Sequence, residues 1–296
     1  MPMVKMIKAA IGLPLKWHGG KHDLAKWIIS LMPPRCRNPN KPANDDSGWL
    51  HYVEPYFGGG AVLLANDPEG ISEVVNDKNG ALINFWAVMQ SPRLFAQFYR
   101  RVQAVPFSED GWVRAAFRVT QADPIKPPGY SLGLAVSFFV FCRQSLAGRM
   151  KGFTGITKTR TRRGMNNEVS AWLSCIDGLP AVHERLKRVL IVGPSDALDV
   201  IRKHDGPRTL FYLDPPYLHE TRASAGEYAH EMSDEEHHNL LCIIRQCKGK
   251  VMVSGYRSAM YDDLLQNWTR HEKAINNHAA GGKVKRVMTE CVWTNF

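Results

Sequence analysis

Asp214-Pro215-Pro216-Tyr217 sets an acid, two rigid prolines and an aromatic ring in immediate succession, directly after the apolar run Thr209 to Leu213. A carboxylate and a proline carbonyl accept hydrogen bonds, the fixed φ of proline holds those acceptors still, and a tyrosine ring can stack on a planar group. Together they suit a planar ring that bears an amino substituent. An Asp-Pro-Pro turn closing a strand is the alternative reading of the same four letters. Lys16-Trp17-His18-Gly19-Gly20-Lys21 puts a Gly-Gly turn and a lysine ahead of a helical pattern. That arrangement reads as a site for a carboxylate or phosphate, or as a plain helix entry with a solvated lysine. Glu54-Pro55-Tyr56-Phe57-Gly58-Gly59-Gly60 is an acid followed by a glycine turn, where a ligand can come close to the backbone. It is neither G-x-G-x-x-G nor a P-loop, so a cofactor carrying a nucleoside without a phosphate fits it best. About seventeen residues beyond those glycines stands Asp77, either a ligand for ribose hydroxyls or a cap for the helix expected over 80–89.

In their order these stretches resemble the Dam-like DNA adenine methyltransferases. The resemblance rests on K-W-H-G-G-K at 16–21, E-P-Y-F-G-G-G-A-V at 54–62, N-D-K-N-G-A-L-I-N at 76–84 and D-P-P-Y at 214–217. S-G-Y at 254–256 and W-T-N-F at 293–296 add to it, and it spans residues 14–88 and 180–296. It implies methyl transfer from S-adenosyl-L-methionine to N6 of an adenine flipped out of double-stranded DNA, with no metal. It implies Asp214, Pro215, Pro216 and Tyr217 at the reacting base, and Asp214 also at the cofactor. Around that cofactor it places Trp17, Gly19, Gly20, Lys21, Glu54, Pro55, Phe57, Gly58, Gly60 and Asp77. Asp196, after the strand expected at 189–192, is placed to approach the cofactor's adenine or to cap a helix over 197–203. RNA adenine methylation, cytosine-amino methylation and a DNA-binding protein with a decayed catalytic domain are the alternatives; the acidic first letter of D-P-P-Y favours adenine. Whether a cognate restriction endonuclease accompanies the chain stays open, and action as a monomer is expected.

The elements that must position these residues follow from periodicity. Apolar runs predict strands near 52, 74, 190, 211, 252 and 290, with helices between most of them, which is an α/β doubly wound sheet; the resemblance implies that it is a Rossmann-like methyltransferase sheet. Residues 89–179 break that rhythm and read as a mainly helical insertion, which the resemblance makes the target-recognition domain, leaving 1–88 and 180–296 as the catalytic domain. Within the insertion, Arg143, Arg149, Lys151, Lys158, Arg160, Arg162 and Arg163 crowd a glycine- and threonine-rich stretch. Such a stretch suits contacts to DNA phosphates, or is a solvated basic loop. Residues 36–48 read as an exposed loop, His219 to Met232 as a polar segment that closes over substrate, and 281–283 as a mobile loop. Adjacent His237 and His238 point to different sides of one helix and read as core or surface residues.

Composition agrees. A net charge of +10 from 38 basic and 28 acidic residues favours a polyanionic partner. Six cysteines without a C-x-x-C pair or zinc spacing read as reduced thiols of a cytoplasmic protein. Ala9 to Leu15 lacks the features of a signal peptide, and no apolar run is long enough to span a bilayer.

Overall fold

A computed structural model gives the structure of the chain, describing residues 11–36, 48–122, 129–221, 231–276 and 287–296. The loops expected around 36–48 and 281–283, and most of the segment expected to close over substrate, lie outside the described residues.

Five strands run parallel at the centre: β1 (His51–Glu54), β2 (Ser72–Val75), β5 (Val189–Ile191), β6 (Thr209–Leu213) and β7 (Lys250–Gly255). Two more, β8 (Thr269–Asn276) and β9 (Val287–Thr294), complete a seven-stranded sheet in the order β5-β2-β1-β6-β7-β9-β8. β9 is antiparallel to both its neighbours. Strand order therefore reverses between β1 and β6: the chain leaves β1 in one direction along the sheet and continues from β6 in the other. The crevice beyond the carboxyl ends of two such strands is where doubly wound sheets hold ligands.

Alternation along each strand decides what covers the sheet. Tyr52, Val75, Leu210, Tyr212, Met252 and Val292 face one core. It is closed by α1 (Ala25–Ser30), α2 (Ala61–Ala65), α3 (Gly80–Gln90), α4 (Pro92–Gln103), α5 (Glu109–Thr120), α6 (Leu132–Arg143) and α7 (Asn167–Leu186). Their neighbours Val53, Val74, Phe211, Leu213, Val251, Val253 and Trp293 face the other core, under α8 (Ala197–His204), α9 (Asp234–Ile244) and α10 (Ala259–Leu264).

The expected helices form because their ends are capped as written. Ser91, Ser108, Ser131 and Ser233 each accept from a backbone N–H of the first turn, and Ser233 with Glu236 makes a full capping box. Two features were not expected. Thr161–Arg162 (β3) and Met165–Asn166 (β4) form a hairpin whose two central residues, Arg163 and Gly164, have φ of 57° and 72°. Moreover, α7 runs without interruption from Asn167 to Leu186 although Pro180 lies inside it. The helices of residues 92–186 share one core with the sheet, including Phe98, Phe138 and Phe139 beside Phe85, and Trp172 against Phe139.

Candidate active site

The crevice at the β1/β6 reversal is a cleft of about 940 Å³. β1 delivers Glu54 and then the glycine turn to one wall, and β6 delivers Asp214, Pro215 and Pro216 to the other. Trp17, Gly19, Gly20, Lys21, Asp77, Glu231 and Met232 line it as well.

Gly58 and Gly60 adopt left-handed φ of 49° and 71°, which only glycine takes without strain. Close packing adds a second requirement: a Cβ at Gly58 would lie 2.8 Å from the Trp17 indole nitrogen, and one at Gly59 2.7 Å from Trp17 Cβ. The turn thus leans on Trp17 as well as opening toward the cleft. Asp77 braces it from the far side, accepting from Gly58 N and from Asn79 N, both at 2.9 Å. The cap of α3 is Asn79, whose side chain accepts from Leu82 N, so Asp77 is not the helix cap. Buried Asn76 holds the next loop, donating to Pro55 O and Ser195 O, both at 3.1 Å.

Lys21 is only 6% exposed, which excludes a solvated lysine. Its Nζ lies 2.8 Å from Asp214 Oδ1 and 3.7 Å from Glu290 Oε1, and donates to Gly19 O at 3.0 Å. Tyr217 donates its hydroxyl to Glu290 Oε1, presents its ring to Lys21 Nζ at 4.8 Å, and meets Tyr256 edge-on. Burial pushes the Asp214 and Glu290 carboxyls above their ordinary values, and the charge of Lys21 partly opposes it in both. Glu54 is wholly buried and pushed up to about 8, chiefly by desolvation; the hydroxyl of Tyr52 donates to it at 2.6 Å and opposes the shift.

Of the residues expected around cofactor and base, the cleft brings together Trp17, Gly19, Gly20, Lys21, Glu54, Phe57, Gly58, Gly60, Asp77, Asp214, Pro215 and Pro216. Three stand apart from its lining. Pro55 turns its carbonyl to Asn76. Asp196 caps α8, accepting from Leu198 N at 2.8 Å. Tyr217 is 5% exposed and backs the wall behind Lys21, where a face expected to stack on a base instead meets an ammonium.

The sequence matches the family described as D12 class N6 adenine-specific DNA methyltransferase over residues 17–168 and 174–279. The chain belongs to that family. It is thereby an adenine-specific DNA methyltransferase, an enzyme class that uses S-adenosylmethionine. It is 24% identical over 295 residues to a Type II methyltransferase, M1.LlaDCHI, of Lactococcus lactis subsp. cremoris, covering 95% of this chain and 94% of that protein. Among solved structures it aligns with the rRNA methyltransferase AviRa of Streptomyces viridochromogenes at a TM-score of 0.39 and 12% identity, over 98% of this chain and 93% of that one.

In this D12 class methyltransferase the basic stretch of the insertion follows α6. Arg149, Lys151, Lys158, Arg160, Arg162 and Arg163 are exposed along it, the last two on the β3–β4 hairpin. Arg143 differs from the rest: half-buried at the end of α6, it donates to Ala171 O at 3.2 Å and is turned into the protein. The stretch is tied down at several points. Phe153 packs on Phe107 and Trp112, a Cβ at Gly148 would collide with Lys16 O, and Lys16 Nζ pairs with Glu168 at 3.1 Å. Sequence reasoning missed Glu290 altogether. The available signal was an acid two residues before Val292, on the face of β9 that ought to be apolar. Of the paired histidines, His237 is buried against the Tyr261 hydroxyl at 3.1 Å and His238 is exposed. Among the described residues no group of acids, histidines and cysteines is arranged to hold a metal, and no helix is long and apolar enough to cross a membrane.

Proposed function

We propose that this chain transfers a methyl group from S-adenosyl-L-methionine to N6 of an adenine flipped out of double-stranded DNA, acting as a monomer. In this reading residues 1–88 and 180–296 carry the chemistry and the outer part of 89–179 reads the target. The observation that carries it is the facing of Asp214-Pro215-Pro216 and the glycine turn across one cleft at the strand-order reversal. The cleft suits the cofactor: it offers a carboxylate, Asp77, in its lining and a glycine turn without phosphate-binding features. Bound there, the cofactor supplies an electrophilic methyl group on a sulfonium sulfur.

The exocyclic nitrogen of adenine is a poor nucleophile because its lone pair is delocalised into the ring. Asp214 and the Pro215 carbonyl would accept hydrogen bonds from its two N–H groups, which frees the lone pair to turn out of the ring plane. With the methyl group supplied by the bound cofactor, the nitrogen would shed one proton, and Asp214 would take it. This is catalysis by positioning and by fixed dipoles, and it requires no covalent intermediate. Asp77 takes the ribose hydroxyls, since each carboxylate oxygen accepts more than one hydrogen bond. Extracting the base costs a few kcal/mol, offset by phosphate contacts from the exposed basic residues of the insertion. Likeness to a protein named a Type II methyltransferase supports a cognate restriction endonuclease as partner.

The test is Asp214→Ala with tritium transfer into duplex DNA and calorimetry of the cofactor. Transfer should vanish while cofactor affinity stays within about threefold. Lost cofactor affinity in a folded variant would make Asp214 a cofactor residue. Transfer to structured RNA but not to duplex DNA would replace the substrate.

A further inference from the structure

The reaction proposed above asks Asp214 to accept a hydrogen bond from an incoming amino group, yet Lys21 Nζ already sits 2.8 Å from Asp214 Oδ1. An ammonium competes with a neutral amino group for the same lone pairs, and its charge gives it the advantage. A carboxylate oxygen can accept from both, but the amino group gains the stronger acceptor if the ammonium shifts elsewhere. Glu290 Oε1 stands 3.7 Å from the same Nζ, on β9, 2% exposed and outside the lining of the cleft. The methyl-transfer step makes no use of this acid. Burying a second carboxylate beside Asp214 is costly, and the Tyr217 hydroxyl that donates to it is a neutral partner that does not balance its charge.

We propose that Glu290 is a positioning residue that takes over Lys21: the ammonium rests on Asp214 until a base arrives and passes to Glu290 when the amino group of adenine claims Asp214. The movement is small, about 1 Å, since 3.7 Å need only shorten to the ordinary length of a charge-assisted hydrogen bond. Gly19 O, at 3.0 Å from Nζ, tethers the lysine throughout. One ammonium is shared by two carboxylates before and after, so no ion enters or leaves the buried site. Burial raises both carboxyls and Lys21 is the largest influence opposing it in each, so whichever acid holds the lysine keeps its charge more easily. The inference rests on the adenine-methylation reading, which supplies the amino group.

Glu290→Gln separates charge from shape, because the amide oxygen still accepts from Tyr217 while no longer drawing the lysine. Tritium transfer from S-adenosylmethionine into unmethylated plasmid DNA, at saturating cofactor, compares the full-length wild type with Glu290→Gln and Glu290→Asp. The Gln variant should lose about 10- to 100-fold in kcat, the scale of one charge-assisted hydrogen bond, with KM for the cofactor within about twofold. Glu290→Asp, which keeps the charge, should fall between the two. In a Lys21→Met background, Glu290→Gln should lower kcat no further. A wild type that transfers nothing would defeat adenine methylation itself. Given an active wild type, a Gln variant with wild-type kcat, or an Asp variant no better than Gln, overturns the exchange. If the Gln variant does not fold, the Asp variant decides: kcat reduced at least about threefold with KM unmoved supports the exchange, and wild-type kcat overturns it.

Discussion

Glu54 holds its proton in the folded protein up to about pH 8, against an ordinary value of 4.5. Between those values the unfolded chain ionises this group while the folded chain does not, so folding stability falls as pH rises through that window and levels off above it. Glu54→Gln removes the titration and leaves an acceptor for Tyr52. Its stability relative to wild type should therefore climb between pH 5 and pH 8, by an order of a few kcal/mol, read as urea midpoints at several pH values. A constant difference would mean that Glu54 is ionised in the cleft. Asp77 poses a different question, because its two bonds to Gly58 N and Asn79 N already give it a structural task. Asp77→Ala should weaken cofactor binding at least about tenfold by calorimetry; unchanged affinity would leave it as a brace for the turn. The chemistry-bearing letters were legible because residue type and order carry them. Asp196, Tyr217 and Arg143 were legible only as types: their partners Leu198, Glu290 and Ala171 are matters of local geometry that letters do not report.

Most helices and all five central strands followed from apolar period and caps. β8 did not, because Thr269-Arg270-His271-Glu272-Lys273 is the polar writing of an edge strand, charged where a further strand would otherwise pair. The β3–β4 hairpin was hidden for another reason: strands of two residues have no period to detect, and only the Arg163-Gly164 pair marks a turn in which both central residues take positive φ. That hairpin carries the densest exposed charge of the insertion. Changing Arg160, Arg162 and Arg163 together to Gln should weaken DNA binding and reduce the slope of log affinity against log salt by about 2 to 3, at roughly 0.9 for each phosphate no longer neutralised. Filter binding or anisotropy across a salt series measures it, and an unaltered slope would place these side chains away from phosphate.

At the scale of the whole molecule, the helices of residues 92–186 share one core with the sheet. α6 and α7 pack on the same face of the sheet as α3, and a buried pair fastens the end of α7 to β2 and α2: Arg185 meets both oxygens of Glu73 at 2.6 Å and donates to Leu63 O at 3.0 Å. Removing one member strands the other charge. Arg185→Met should cost about 3–5 kcal/mol in denaturant unfolding, and Arg185→Met with Glu73→Leu should recover most of it. If the single variant costs no more than the double, the pair is not a fastening. Such long-range partnerships were illegible in the sequence because each of the two residues alone reads as an ordinary surface charge.

Lys16 has one further consequence. Its carbonyl accepts from the Cys142 thiol at 3.0 Å and leaves no space for a side chain at residue 148, and its ammonium reaches Glu168. The chain is thus gripped on both sides of the exposed basic stretch by the residue that precedes Trp17. If the basic stretch reads the target as proposed, a graft meant to retarget the enzyme would have to stay inside those two anchors, within residues 149–166, or else disturb the packing around Trp17 at the cleft.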